Sequence, residues 1–499
     1  IFYNIDRCIQ CSTSQKTFFR ILKYLKSQKT WIKYLILTTI LTTCFGLITP
    51  YMGKIYVDYI LNKNIETNTF DYANYIHIAA FVMLLAYTGQ MVFEALHEYL
   101  SECIGYRVIY KIRDKVYKKL QNQSLSYFDK HQTGAVLTRV NQDTSELQKL
   151  LINFFPLSFQ SAFILLGIGV LLFSLSWKLT LVIFIPIFGV IFFLKFIFFG
   201  IWNYFHSYFH RRSKLNALVS DAISGMRVIK AFGQEKLEIK KFDKRSVDYR
   251  DAGILLIKKW SIYHPVLHLF IMVGLVLVWW IGGQLVIKGE MKVGDIIAYQ
   301  GYLMMFYRPI FILTKMSQII TNSLSAAERV FEVIDSEIEV KESKDPVKMN
   351  EAKGKIEFQN VTFGYDKFKP VIKKMNFTIK AEEMVGLVGK SGAGKSTIIN
   401  IITRLYDVND GKILIDNVNI KDIKYYDLKK QFGIVLQDTF LFNGTIFDNV
   451  IYSKPEASKE EVIQACIEAN AHEFIINKPD GYDTEVGERG NNLSGGEKQ

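Results

Sequence analysis

The chain has 499 residues, of which 49% are hydrophobic and 14% aromatic, and its formal net charge is +13. A mean hydropathy of +0.13 excludes a wholly soluble protein, and the length suits two or three domains. The basic excess is confined to particular connections and no RNA- or DNA-binding motif accompanies it, so it excludes nucleic acid as the expected partner and reads as membrane topology.

Residues 1–17 match no recognised pattern. They include Cys8-Ile9-Gln10-Cys11, but no second Cys/His pair completes a zinc site, and the placement of the five cysteines implies no disulfide framework. Residues 18–330 read as a transmembrane domain. Apolar runs at 31–52, 75–98, 152–174, 179–201, 262–287 and 294–318 are each near the ~20 residues that cross hydrocarbon. Segments 101–150 and 205–260 carry nine and thirteen Lys/Arg, whereas the alternate connections carry few, such as Lys54, Lys63 and Lys178. The basic connections and both chain ends are therefore expected in the cytoplasm, in a multi-pass protein of a bacterial plasma membrane.

The second span does not stop at the bilayer. Ile104, Val108, Ile112, Val116 and Leu120 recur every four residues with charged residues between them, which is one face of a helix. A helix from Tyr75 to Asn122 is ~70 Å long at 1.5 Å per residue, so much of it must project as a cytosolic stalk. Gln90, Glu94 and His97 are candidates for a polar pathway, because ionisable groups inside membranes often serve transport. The competing reading sets Glu94 and His97 at the wet inner boundary.

The composition changes near Asp335, and 331–353 reads as a charged linker. From 354 to 499 strand-like segments (Lys355–Phe363, Met375–Ile379, Met384–Val388, Lys412–Ile415, Phe432–Leu436) alternate with helical patterns around 396–404, 445–452 and 459–470. The fold class is therefore multi-domain: an all-α transmembrane domain with long helical extensions, then an α/β nucleotide-binding domain. Gly389-Lys390-Ser391-Gly392-Ala393-Gly394-Lys395-Ser396 fits the P-loop pattern, with an apolar strand pattern before it and a helical one from Thr397 after it. Glycines let successive backbone N–H groups approach phosphate, Lys395 reaches the terminal phosphates, and Ser396 is placed for Mg²⁺. ATP and Mg²⁺ are the expected ligands. Tyr365, closing the first strand, is placed to stack on a purine or is an ordinary turn tyrosine. Gln437, at the end of a strand pattern, contacts Mg²⁺ and orients water, or is a solvated loop residue.

Leu493-Ser494-Gly495-Gly496-Glu497-Lys498-Gln499 resembles the signature motif of the ATP-binding cassette exporters, and Thr484–Gly490 resembles a segment peculiar to them. The same resemblance makes Tyr365 the adenine-stacking tyrosine and Gln437 the glutamine-loop residue. It implies that Ser494, Gly495, Gly496 and Glu497 meet the ATP held by a partner subunit, so the chain is half of a homodimeric or heterodimeric transporter. Phe128–Gly134 with Arg139, Asn141, Asp143 and Thr144 resembles the first coupling region; Gly225–Phe232, with Arg227, resembles the second. Gly134, Arg139, Asp143, Gly225 and Arg227 are the coupling residues so implied. The implied activity is ATP-driven export of hydrophobic or amphipathic compounds, drugs or lipids, in contact with membrane lipid. The alternatives are a peptide or bacteriocin exporter and an ATP-gated regulator that does not pump. In that family a further strand with a Mg²⁺-coordinating aspartate and a catalytic glutamate follows the signature, and then a switch histidine. None of these lies within 1–499, so the catalytic list is confined to Lys395 and Gln437, and a 499-residue polypeptide is expected to bind ATP poorly and not to hydrolyse it.

Overall fold

Long apolar runs with few helix breakers fold here as helices. The computed structural model describes residues 9–61, 73–366, 368–390, 392–437 and 439–499; side chains at 9–15, 60–61, 73–74, 194–195, 197–199, 264, 308, 310–311 and 313–318 lie outside the description. Cys8 and Ser391 therefore lie outside the described residues. The chain divides into two units, one formed by residues up to Asn122 with His131–Glu337, the other by Gln123–Lys130 with Ile338–Gln499.

The first unit is helical: α1 (Ile9–Lys26), α2 (Lys29–Ile55) and α3 (Ala73–Gln121), then, after an excursion into the second unit as α4 (Leu125–Lys130), α5 (Thr133–Thr138), α6 (Thr144–Lys149), α7 (Phe155–Leu175), α8 (Trp177–Ser224), α9 (Met226–Phe232), α10 (Glu235–Ile287) and α11 (Val293–Asp335). Among the described residues four stretches are long and apolar enough to cross a membrane: Lys29–Tyr59, Tyr75–Gln121, Thr133–Leu175 and Glu235–Ile287. The expected spans 179–201 and 294–318 lie on α8 and α11, parts of which are outside the described residues. The long helix expected from the four-residue spacing is present. α3 is unbroken for 49 residues, and Ile104, Val108, Ile112, Val116 and Leu120 are all buried. Gly105 lets the chain approach α3 closely, since a Cβ there would lie 2.3 Å from Ile152.

The apolar centre of this unit joins α7, α8, α10 and α11 through Ile168, Leu172, Leu179, Ile183, Leu267, Ile271 and Tyr302, among others. At the α7–α8 corner Ser176 caps α8, its side chain accepting from Leu179 N, and the Tyr299 hydroxyl from α11 reaches Leu172 O and Ser176 O, each at 2.7 Å. The Ser176–Leu181 run thus forms a hydrogen-bonded corner between two helices.

The second unit has an antiparallel sheet of β1 (Ile356–Phe363), β2 (Ile372–Ile379), β3 (Asp410–Ile415) and β4 (Val418–Asn419), in the order β2-β1-β3-β4. α12 (Lys395–Ile402) packs on it through Ile398, Ile401 and Ile402. A smaller cluster of Ile446, Cys466, Ile475, Val486 and Leu493 gathers α14 (Ile446–Ile451), α15 (Lys459–Glu468) and α16 (His472–Ile476); α13 (Tyr425–Lys430) precedes them and α17 (Gly495–Lys498) ends the chain.

Two expected strands are absent. Met384–Val388 and Phe432–Leu436 have no strand assignment, and Met384 and Val388 are 98% exposed. A strand exists by its ladder, not by apolar residues alone, and among the described residues neither stretch finds one.

Candidate functional site

The P-loop folds as its residue types require. Gly392 and Gly394 hold φ of 81° and 89°, the left-handed region that favours glycine. Gly394 turns the chain directly into α12, whose first residue is Lys395. The Lys395 ammonium donates to Gly389 O at 2.8 Å and Lys390 O at 2.9 Å, closing the loop around itself. Phosphate oxygens can replace both carbonyls as charge-assisted acceptors, so the lysine is pre-positioned for an anion. Gly389 and Ala393 also approach closely, a Cβ on Gly389 lying 3.3 Å from that of Ala393. Ser396 is exposed on the first turn of α12, and Thr397 is buried beneath it.

Tyr365 is fixed from two sides. Its hydroxyl lies 3.3 Å from Thr397 Oγ1 and accepts from Asn400 Nδ2 at 3.2 Å. Its ring stands edge-on to Phe363 and to Tyr406, with centroids 5.2 Å away in each case. The residue stays 48% exposed, which leaves ring surface available for stacking beside the P-loop helix. Sequence reasoning placed Tyr365 but missed Asn400 and Tyr406. Tyr406 follows α12, and its hydroxyl donates to Asp129 of α4 in a short hydrogen bond. Burial and the Asp129 carboxylate both push this phenol well above its ordinary range.

The α4 segment is held within this unit by further contacts. Ser126 Oγ donates to Glu339 at 2.6 Å, Lys130 pairs with the same carboxylate at 3.0 Å, and Val340 N donates to Ser124 Oγ at 2.9 Å. Of the implied first coupling region, Phe128–Lys130 therefore pack with the nucleotide-binding unit. Gly134 opens α5 in the first unit, where Arg139 pairs with Glu332 at 3.2 Å. Asp143, buried, receives two hydrogen bonds from Arg329 of α11, at 2.9 and 2.5 Å. Gly225 joins α8 to α9, and Arg227 lies exposed on α9.

At the far end of the second unit Ser494 caps α17. Its hydroxyl accepts from Glu497 N, and its own N–H donates to the Glu497 carboxylate at 2.7 Å. Lys478 pairs with that carboxylate at 2.9 Å. Lys478 and the Ser494 bonds hold the Glu497 carboxyl down to about 2. Gly495 and Gly496 present backbone N–H groups on this first turn, with space around both: a Cβ on either would meet nothing within 4 Å. Thr484–Gly490 runs along the start of α14: Ile446 N donates to Thr484 O and Val486 N to Gly444 O, each at 3.0 Å. Gln437 is exposed, and among the described residues no hydrogen bond ties it to Ser396 or Lys395.

The comparisons agree with this arrangement along the chain. Residues 32–310 match the ABC transporter transmembrane region, and residues 372–499 match the ABC transporter cassette. The chain belongs to the ABC transporter family. It is 32% identical over 454 residues to an ATP-dependent lipid A-core flippase of Syntrophus aciditrophicus, covering 89% of this chain and 72% of that protein. A Bacillus subtilis protein named as a candidate multidrug export ATP-binding/permease protein is 32% identical over 484 residues, covering 96% and 83%. A bacterial Atm1-family ABC exporter with ATP bound has a TM-score of 0.75 at 27% identity, covering 94% of this chain and 82% of that one. The chain is thus a multi-pass ABC exporter half-transporter, of a type that works as a dimer, with an ATPase domain that couples hydrolysis to transport.

The described site suits ATP. A left-handed glycine turn leads into α12, whose first residue is the preset lysine, and the partly exposed Tyr365, just beyond β1, reaches Thr397 and Asn400 of the same helix. For a divalent cation the chain offers oxygen donors at Ser396 and Gln437, and among the described residues no group of three His, Cys, Asp or Glu gathers as a metal site. Ser396 and Gln437 could serve as protein ligands of a divalent cation, which would neutralise the charge of the phosphates.

His97 belongs to a helix contact. It is buried, with Nδ1 3.1 Å from Thr39 Oγ1, and so links α3 to α2. Gln90 lies against Gly46 of α2.

Proposed function

We propose that the chain is half of a dimeric ATP-driven exporter of hydrophobic or amphipathic compounds, drugs or lipids. The observation that carries this reading is the run of family matches through both membrane region and cassette, joined to relatives whose names describe lipid flipping and multidrug export. In this reading six spans form the membrane domain. Tyr365 stacks on adenine; the backbone from Gly389 to Thr397, Ser391 included, cradles phosphates; Lys395 binds the terminal phosphates; Ser396 and Gln437 face Mg²⁺. Ser494, Gly495, Gly496 and Glu497 address the nucleotide of the partner subunit, and Gly134, Arg139, Asp143, Gly225 and Arg227 belong to the coupling regions. Differential binding of ATP to two global states drives the change in access.

The test is transport in proteoliposomes containing the full-length protein, with a lipophilic dye, a fluorescent lipid and a labelled peptide as parallel cargoes. ATP-dependent movement of dye or lipid is expected, and Lys395→Ala should abolish it while membrane insertion is unchanged. Movement of the peptide alone would replace this reading with a peptide exporter. ATP hydrolysis without movement of any cargo would favour a regulator.

A further inference from the structure

The corner between α1 and α2 carries a row of cations that neither the nucleotide site nor the helix packing uses. Arg107, Lys111 and Lys115, one turn apart on α3 and all exposed, meet Trp31, Ser27 and Tyr24 of the corner in reverse order. The Arg107 guanidinium carbon lies 3.9 Å from the Trp31 ring centre. Lys111 Nζ donates to Ser27 Oγ at 3.4 Å, and Lys115 Nζ donates to the Tyr24 hydroxyl at 3.5 Å. These partners are neutral and the bonds long, so each cation keeps its charge and each ammonium has donors to spare. On a neighbouring face of α3, by contrast, Lys118 pairs with Asp114 at 2.9 Å. Asp335 of α11, whose carboxylate feels Lys115, is engaged by Arg20 through two bonds at 2.5 and 2.9 Å. Like charges four residues apart on a helix repel, so an anion over the row would stabilise it.

The corner is ordered in advance. Ser27 Oγ donates its own proton to Tyr24 O at 2.8 Å, which leaves it an acceptor for Lys111. The Tyr24 ring stacks on Phe331 of α11 with centroids 6.2 Å apart, and Gln28 is buried beside the turn. The height is set by Trp31, which opens the first apolar run, and by the basic segment 101–150, which lies on the cytoplasmic side. Tryptophan favours the boundary between hydrocarbon and water, so Arg107 stands at the level of the inner headgroups. Lys115 is ~12 Å further along the helix at 1.5 Å per residue, and its flexible stem can reach back toward the bilayer. With a cation about every 6 Å, one phosphate spans two of them, and the whole row suits two.

We propose that this corner binds an anionic phospholipid of the cytoplasmic leaflet whose headgroup carries two phosphates, with Arg107, Lys111 and Lys115 as its ligands. Such a headgroup would neutralise the row and tie α3 to the α1–α2 corner, as basic pockets beside membrane helices do with polyanionic lipids. The inference goes beyond the exporter reading and holds whatever the cargo is. Its test is binding of tetraoleoyl cardiolipin to the full-length protein in neutral detergent, followed by native mass spectrometry with dioleoylphosphatidylcholine as the reference lipid. Each cation close to an anionic lipid is worth roughly a fivefold change in affinity, so Lys111→Gln/Lys115→Gln should bind ~25-fold more weakly. Lys111→Arg/Lys115→Arg should stay within about twofold of wild type, because the charges remain. Lys236→Gln/Lys240→Gln removes the same charge from exposed positions of α10 and should bind as wild type. Undiminished binding in the α3 glutamine pair would overturn the site, and so would an equal loss in the α10 pair, which would show a response to net charge alone. Displacement of cardiolipin by an equal concentration of inorganic pyrophosphate would make this a site for free anions and sink the lipid assignment. Should the α3 pair fail to fold, Arg107→Gln alone gives the second reading: a roughly fivefold loss is expected, and no loss would refute the proposal.

Discussion

Around the nucleotide site, single side chains act through the neighbours that fix them. Tyr365 is held by Thr397, Asn400 and Tyr406, so its ring is ordered before a base arrives and little freedom remains to be lost on stacking. Tyr365→Ala should weaken ATP binding by ~1–3 kcal/mol, on the scale of base–aromatic stacking, or roughly 5- to 150-fold by equilibrium titration. Asn400→Ala should lose less, since the ring edge contacts remain. Arg404 is buried and donates to Lys341 O, Ile420 O and Asp407, tying the linker to the core of the cassette. Its charge lies near Lys429, and burial first, then that charge, lowers the Lys429 ammonium to about 8 from 10.5. Between those values the unfolded chain holds a proton that the folded chain does not, so stability should rise with pH from about 8 toward 10.5. Thermal melts of wild type and Lys429→Met over that range check this; the rise attributable to this residue should vanish in the variant.

Short elements depend on their caps more than on their propensities. α17 is four residues long, too short to persist without the Ser494–Glu497 capping box. Because the Glu497 carboxyl is held down to about 2, its contribution is fully present above the ordinary glutamate range and is lost only as pH falls toward that value. Ser494→Ala should cost about 1 kcal/mol of local helix stability. Hydrogen exchange at Gly496–Lys498 should rise roughly fivefold, while nucleotide binding at the P-loop stays unchanged and hydrolysis by the dimer falls. α3 shows the opposite regime: an unbroken 49-residue helix, one buried stripe, and no need of a special cap along its length. Its pattern was legible because four-residue spacing is a local signal. The strand expectation for Met384–Val388 and Phe432–Leu436 failed because apolar content is local and a ladder is not.

At the scale of the molecule, contacts far apart in sequence decide how the helical unit holds together. Asp143 is buried, whereas the Arg329 side chain is 48% exposed, so the pair is asymmetric. Arg329→Met strands a carboxylate in the interior and should destabilise by about 3 kcal/mol. Asp143→Asn leaves an arginine that can turn to water and should cost about 1–2 kcal/mol. Melting of the purified protein in detergent should therefore rank Arg329→Met below Asp143→Asn; the reverse order would show that the arginine, not the aspartate, is the confined partner. The resemblance placed Asp143 in a coupling region but carried no information about Arg329, which is 186 residues away.

The sequence by itself determined the multi-pass membrane character, the long helix α3, the glycine turn before α12 and the family, because each is written in spacing over a few turns or in a contiguous motif. Only the tertiary structure decided what orders Tyr365, that Ser124–Lys130 pack with the nucleotide-binding unit, that Asp58 caps a helix from another part of the chain, and which apolar stretches become strands. Those outcomes depend on groups brought together by folding, and a partner's distance along the chain says nothing of its distance in space.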